Sequence, residues 1–149
     1  FAGTKSLKTS ANLPITASSR VYMELEIKTT QSTTGIIMEL GSTDFATNKT
    51  FLVYISGGKI GLGDYNTGYN IVNSTSTIND GIWRKVLFQI DRSFGVNQNK
   101  IQINGINNFT QDPASYADNN GNYPSFPLFI GQRAGSSLPF NGQMKNLKK

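Results

Sequence analysis

Two neighbouring stretches restrict this chain more than any others: Asp80 to Asp91, DGIWRKVLFQID, and Lys100 to Phe109, KIQINGINNF. In the first, Arg84, Val86, Phe88 and Ile90 alternate with Trp83, Lys85, Leu87, Gln89 and Asp91. A period of two places the sets on opposite faces of a strand, one apolar and one mostly polar. In the second, Asn104-Gly105 sits between two alternating runs. Asn and Gly accept the positive φ of a type I′ turn, whose twist matches that of the flanking strands. The order predicted is a long strand, a polar loop, a second strand, a tight turn and a return strand.

The same signature recurs along the chain. Val21 to Lys28, VYMELEIK, alternates without a break, with Val21, Met23, Leu25 and Ile27 on one side and Tyr22, Glu24, Glu26 and Lys28 on the other. That predicts a half-buried strand. Gly35 to Leu40 is a short apolar strand. Thr50 to Ser56, TFLVYIS, is apolar on both faces and predicts a central strand covered on both sides. Gly57-Gly58 is a hairpin signal, and Lys59 to Asp64 returns from it. Gly61 and Gly63 fall on one face, where they predict a groove floor or a close approach of another backbone.

Shorter strands are expected at Lys5 to Thr9, Tyr69 to Val72 and Pro127 to Gly131, with Phe140 to Leu147 closing the fold. Ser10 to Ser19 reads as a connector, Asn73 to Asn79 as a polar segment, and Gln111 to Phe126 as a long irregular loop. Many short strands separated by turn signals, without βα alternation, predict one all-β sandwich or barrel spanning residues 1–149. The chain begins at Phe1 without a Met and is expected to be part of a larger protein.

Composition removes whole classes of chemistry. Cysteine and histidine are both absent. There is then no disulfide framework, no thiolate nucleophile and no imidazole base, and a Ser-His-Asp triad cannot be assembled from this chain. Charged residues are 15% of the chain, and Asn, Ser, Thr and Gly carry its polarity. The net charge of +5 comes from lysines and arginines scattered along the sequence. A nucleic-acid footprint needs them clustered, so nucleic acid is not an expected partner. No apolar run is long enough to cross a bilayer as a helix, and no membrane association is expected.

What remains is recognition chemistry. Sugars are held by flat aromatic faces and by amide and carboxylate hydrogen bonds. Two loops carry both: Asp64-Tyr65-Asn66-Thr67-Gly68-Tyr69-Asn70 and Asn119-Asn120-Gly121-Asn122-Tyr123. Asp64, Tyr65, Asn66, Tyr69, Asn70, Asn122 and Tyr123 are the candidate ligand-binding residues. Asn, Asp and Gly are also ordinary turn formers, and Tyr at a loop end packs on a rim, so each taken singly has a plain structural role. Three Asn-x-Ser/Thr sequons, at Asn48, Asn73 and Asn108, are no more than this composition supplies by chance.

Four pieces in order carry a family resemblance: Asp80-Gly81-x-Trp83-x-x-Val86; Ile101-x-Ile103-Asn104-Gly105; Leu128-Phe129-Ile130-Gly131; and Phe140-x-Gly142-x-Met144-x-x-Leu147. Together they resemble the concanavalin A-like lectin/glucanase superfamily, and most closely its laminin G-like jelly rolls. The resemblance implies two antiparallel sheets in a jelly-roll sandwich, with ligand loops at one edge or on a concave face. It makes Trp83 a packing anchor rather than a sugar platform. It also implies a calcium ion near a loop edge. Asp118, Asn120 and Asn122 supply alternate oxygen donors for one, and Asp64-x-Asn66 supplies a second, shorter set.

The glucanases of that superfamily carry Glu-x-Asp-x-x-Glu on a strand. Here the row reads Glu24-Leu25-Glu26-Ile27-Lys28-Thr29, so the middle Asp is a Glu and the last Glu is missing. Glu24 and Glu26 would stand about 7 Å apart on one strand face. No candidate fills the second catalytic role. The expectation is therefore a non-catalytic domain that binds a glycan or a cell-surface receptor. Its setting would be an extracellular or virion-surface protein of the phage tail-fibre type, beside other domains of the parent chain. The alternatives are a structural or protein-interaction domain without a glycan site and, more remotely, a glycoside hydrolase.

Overall fold

The computed structural model describes residues 6–16, 19–41, 51–65, 69–91, 99–111, 125–134 and 137–149; for 64, 65, 69, 70 and 111 it describes the backbone alone. Twelve strands follow one another, with no helix among the described residues. They are β1 (Leu7–Leu13), β2 (Arg20–Thr29), β3 (Gly35–Leu40), β4 (Phe51–Ser56), β5 (Lys59–Tyr65) and β6 (Tyr69–Thr77), then β7 (Arg84–Asp91), β8 (Lys100–Ile103), β9 (Ile106–Asn107), β10 (Thr110–Gln111), β11 (Phe126–Ile130) and β12 (Gly142–Lys148). They form a seven-stranded sheet, β1-β11-β3-β4-β5-β6-β10, and a five-stranded sheet, β12-β2-β7-β8-β9. Every pairing between them is antiparallel.

The alternation of β2 and β7 sets the register of the smaller sheet. Leu25 stands opposite Val86 and Met23 opposite Phe88, all turned inward, while Glu24 meets Leu87 and Glu26 meets Lys85 on the outside. A slip of one residue would expose the whole apolar set, so this register is strongly specified. From the other sheet come Val53, Ile55, Ile60, Leu62 and Val72, and Phe140 joins them in the same core. Each large apolar side chain buried there contributes roughly 1.5–3 kcal/mol relative to exposure. A second, small cluster lies on the outer face of the larger sheet. There Ile36 and Leu52 are buried, with Tyr54 and Leu138 packed on them. Strand β4 is thus covered on both sides, as its apolar sequence requires.

The two predicted tight turns are present. Gly57 and Gly58 have φ of 58° and 76°, and Asn104 and Gly105 have φ of 53° and 81°. The second turn is tied to β7: the Asn104 N–H donates to Lys85 O (2.8 Å), and the Lys85 N–H donates to Asn104 Oδ1 (3.0 Å).

Several boundaries differ from the sequence reading. Strand β1 begins at Leu7 and continues to Leu13, taking in residues expected in the connector, because β11 offers a partner and an irregularity between Lys8 and Asn12 absorbs the mismatch. Strand β6 runs to Thr77 rather than stopping at Val72. Its polar inward position is Ser74, whose hydroxyl accepts from the Ile60 N–H and donates to Ser76 O, so a buried polar residue needs no apolar replacement. Strand β7 starts at Arg84; before it, Asp80 accepts from the Ile82 N–H and pairs with Arg84. The return strand β9 ends at Asn107, and the chain crosses to the other sheet as β10. At the crossing Asn108 accepts from Thr75 Oγ1 and the Ser76 N–H and donates to Ser76 Oγ. Two of the three sequon asparagines thus hold the framework, since Asn73 accepts from the Tyr54 hydroxyl. Gly61 is neither a groove floor nor a backbone contact. The Tyr54 ring lies over it, and a Cβ there would stand 2.1 Å from Tyr54 Cζ.

Candidate functional site

The register fixes which loops share an end of the larger sheet. Leu13 faces Phe126, Leu128 faces Leu40, Phe51 faces Asp64, and Asp64 faces Asn70. Thr110 faces Asn73 and Gln111 faces Val72, so β10 runs toward the same end. The chain therefore leaves and re-enters the sheet there three times, between Leu40 and Phe51, between Tyr65 and Tyr69, and between Gln111 and Phe126. At the opposite end β4 and β5 are joined by the Gly57-Gly58 turn alone. The sheet thus has one closely turned end and one rim that carries its longer connections.

Four of the candidate residues lie at this rim. Asp64 pairs with Asn70 and Tyr65 with Tyr69 across the hairpin, as the last rungs of β5 and β6 at the rim. Asn66, Asp118, Asn120, Asn122 and Tyr123 lie outside the described residues. The segment bearing the last four starts at Gln111, beside Val72 and two residues from Asn70 along β6. The topology therefore starts the second loop at the edge next to the first. Among the described residues no three acidic, His or Cys side chains come together to hold a metal. The residues expected to hold calcium, Asp118, Asn120 and Asn122, lie outside the described residues.

The acidic pair lies elsewhere, on the outer face of the smaller sheet, and its chemistry is legible. Glu24 is paired with Lys85 (2.8 Å) and Lys148 (3.8 Å). Glu26 is paired with Lys145 (3.3 Å) and accepts a hydrogen bond from Asn146 Nδ2 (2.5 Å). The Asn146 hydrogen bond, with Lys145 and Lys85 beside it, holds the Glu26 carboxyl below its ordinary value against a smaller opposing effect of burial. A glycosidase acid needs the reverse, a carboxyl raised so that it keeps its proton near neutral pH. Lys145 also stands 4.3 Å from the Trp83 ring centroid, in cation–π geometry. That face of the indole is taken by the domain itself, while Trp83 is half-buried and belongs to neither apolar cluster.

Sequence reasoning missed two arrangements. The ion-pair row joins β2 to a segment about 120 residues further on, a proximity that no local pattern encodes. Tyr54 over Gly61 was signalled by the glycine, but the ring that fills the space comes from the neighbouring strand. Burial there pushes the Tyr54 phenol above its ordinary value.

Comparison with known structures agrees with this architecture. Domains LG4-5 of the mouse laminin alpha1 chain superpose with a TM-score of 0.73 at 15% identity, over 99% of this chain and 40% of that one. A heptameric SAP-like pentraxin from Limulus polyphemus gives 0.72 at 18% identity, over 99% of this chain and 72% of that one. The CBM40 of the Ruminococcus gnavus IT-sialidase gives 0.62 at 15% identity, over 96% and 89%. At these identities the likeness is one of fold. The chain spans less than half of the laminin structure it matches. No curated protein matches by sequence. A laminin G-type family profile matches residues 2–148. The chain belongs to the concanavalin A-like lectin/glucanases superfamily, as a laminin G-like jelly-roll domain.

Proposed function

We propose that this domain is a non-catalytic recognition module that binds glycan, presented on a cell-surface receptor or as free polysaccharide, through the loop rim of its larger sheet. The observation that carries the reading is the convergence of three connections at one sheet end, with the Tyr65–Tyr69 and Asp64–Asn70 rungs at its edge. Loops on a rigid sandwich are where binding residues concentrate. Support also comes from a structural neighbour that is a carbohydrate-binding module by name, CBM40. The lowered carboxyl of Glu26 and the ion pairs of Glu24 favour binding over hydrolysis. The setting we assign is a cell or virion surface, with the domain in several copies beside other parts of its parent protein, since weak single sites become useful through avidity.

The test is a glycan array probed with the domain displayed multivalently. Selective hits are expected, and they are expected to vanish in a Tyr65→Ala, Tyr69→Ala double variant whose melting temperature is little changed. An array without hits at a density that permits avidity would overturn the reading and leave a structural or protein-docking role. Calcium belongs to the same proposal through Asp118, Asn120 and Asn122. Melting in 1 mM EDTA against excess calcium should differ by roughly 2–8 °C if the ion binds the folded state alone. Superimposable curves would remove it.

A further inference from the structure

The outer face of the smaller sheet contains a depression of about 300 Å³, lined by Glu24, Lys85, Leu87, Gln102, Asn104 and Gly105. Its construction follows from the register. Leu87 stands between Glu24 on β2 and Gln102 on β8, its direct partners on either side. The half-buried leucine forms an aliphatic floor, and polar groups rise around it. The Asn104-Gly105 turn overhangs one end, held there by its two hydrogen bonds to the Lys85 backbone.

The polar groups fall into a specific set. Glu24 and Lys85 are 2.8 Å apart, so a carboxylate acceptor and an ammonium donor stand side by side with their charges cancelling. Gln102 donates its NH₂ to Asn107 Oδ1 (3.0 Å), and its carbonyl oxygen takes no protein partner among the described residues. Asn104 Oδ1 accepts from the Lys85 N–H, and the Asn104 NH₂ likewise takes no partner among the described residues. The lining thus offers two donors and two acceptors around an apolar floor and has no net charge of its own, with Lys148 a further 3.8 Å from Glu24. Its volume is at the lower end of small-molecule sites, which run from roughly 300 to 1,000 Å³.

We infer that this depression is a second ligand site, separate from the rim, which takes one neutral pyranose-sized polyol. A ligand that suits it has a C–H face to lie on Leu87 and hydroxyls around its edge. Adjacent hydroxyls can donate to Glu24 and accept from Lys85, and others can reach the Gln102 carbonyl and the Asn104 amide. An ion of either sign would meet its like charge beside its opposite at the Glu24–Lys85 pair. A purely apolar ligand would leave four polar groups unsolvated, at a cost for each.

The experiment is a titration of the isotope-labelled 149-residue chain with methyl glucoside, methyl galactoside and methyl mannoside, followed by NMR. At least one probe is expected to shift the Leu87 methyls and the side-chain amides of Gln102 and Asn104, with a dissociation constant on the order of millimolar. Gln102→Ala, at a position that is not part of the core, should weaken that binding about tenfold, and Leu87→Gln at least as much. Tyr65→Ala with Tyr69→Ala should leave these shifts untouched, which separates this site from the rim. If Leu87→Gln does not fold, Gln102→Ala alone decides. No shift at these groups with any of the three probes up to about 100 mM would overturn the inference, as would shifts confined to the rim or indifferent to Gln102→Ala.

Discussion

Single side chains here are held by partners that can be removed one at a time. Gly61 is the sharpest case, because the Tyr54 ring occupies the space a Cβ would need. Gly61→Ala should cost about 1–3 kcal/mol, as overpacking does, and adding Tyr54→Ala should recover part of it. Equal losses with and without Tyr54, measured by urea denaturation, would show that the clash is not the cause. Glu26 gives a pH-dependent counterpart. Its carboxyl is lowered from 4.5 in the folded chain, so the stability it adds is fully present above 4.5 and is lost as pH falls through the folded value. Melting temperatures of Glu26→Gln taken from neutral pH to about 3 should therefore decline less steeply than those of the unaltered chain. Parallel curves would rule the group out as a contributor.

At the scale of strands and turns, physical cause separates what could be read from what could not. Strands β2 and β7 were legible because one face is buried and the other wet, which prints a period of two on the sequence. The Gly57-Gly58 and Asn104-Gly105 turns were legible because few other residues tolerate their φ values. Strand β6 was cut short because its inward position after Val72 is Ser74, satisfied by hydrogen bonds rather than by burial among apolar atoms. Strand β1 was half lost because it is an edge strand with exposed side chains and carries little periodicity. The Tyr- and Asn-bearing loops could be named from the sequence; that the strands leading into them end on one side of the sheet required the strand order. The pairing of Glu24 and Glu26 with Lys145, Asn146 and Lys148 required the closing strand to lie beside β2, which only the fold supplies.

For the molecule as a whole, the two sheets share one core, and neither can keep its apolar face from water alone. Phe88 is fully buried at the centre of that core. Phe88→Ala should cost about 3–5 kcal/mol, and both sheets should be lost together, with near- and far-ultraviolet circular dichroism following one transition. Two separated transitions would mean that the sheets unfold independently. The closing strand β12 bears on how such domains live side by side. It is the edge of its sheet, and among the described residues β2 is its only neighbour. Its register breaks between Lys145 and Lys148, where Asn146 takes a φ of 55°, and both lysines are drawn back over β2 toward Glu26 and Glu24. A broken, lysine-bearing edge is a poor template for another strand. Two copies held close together would therefore not join their smaller sheets through β12.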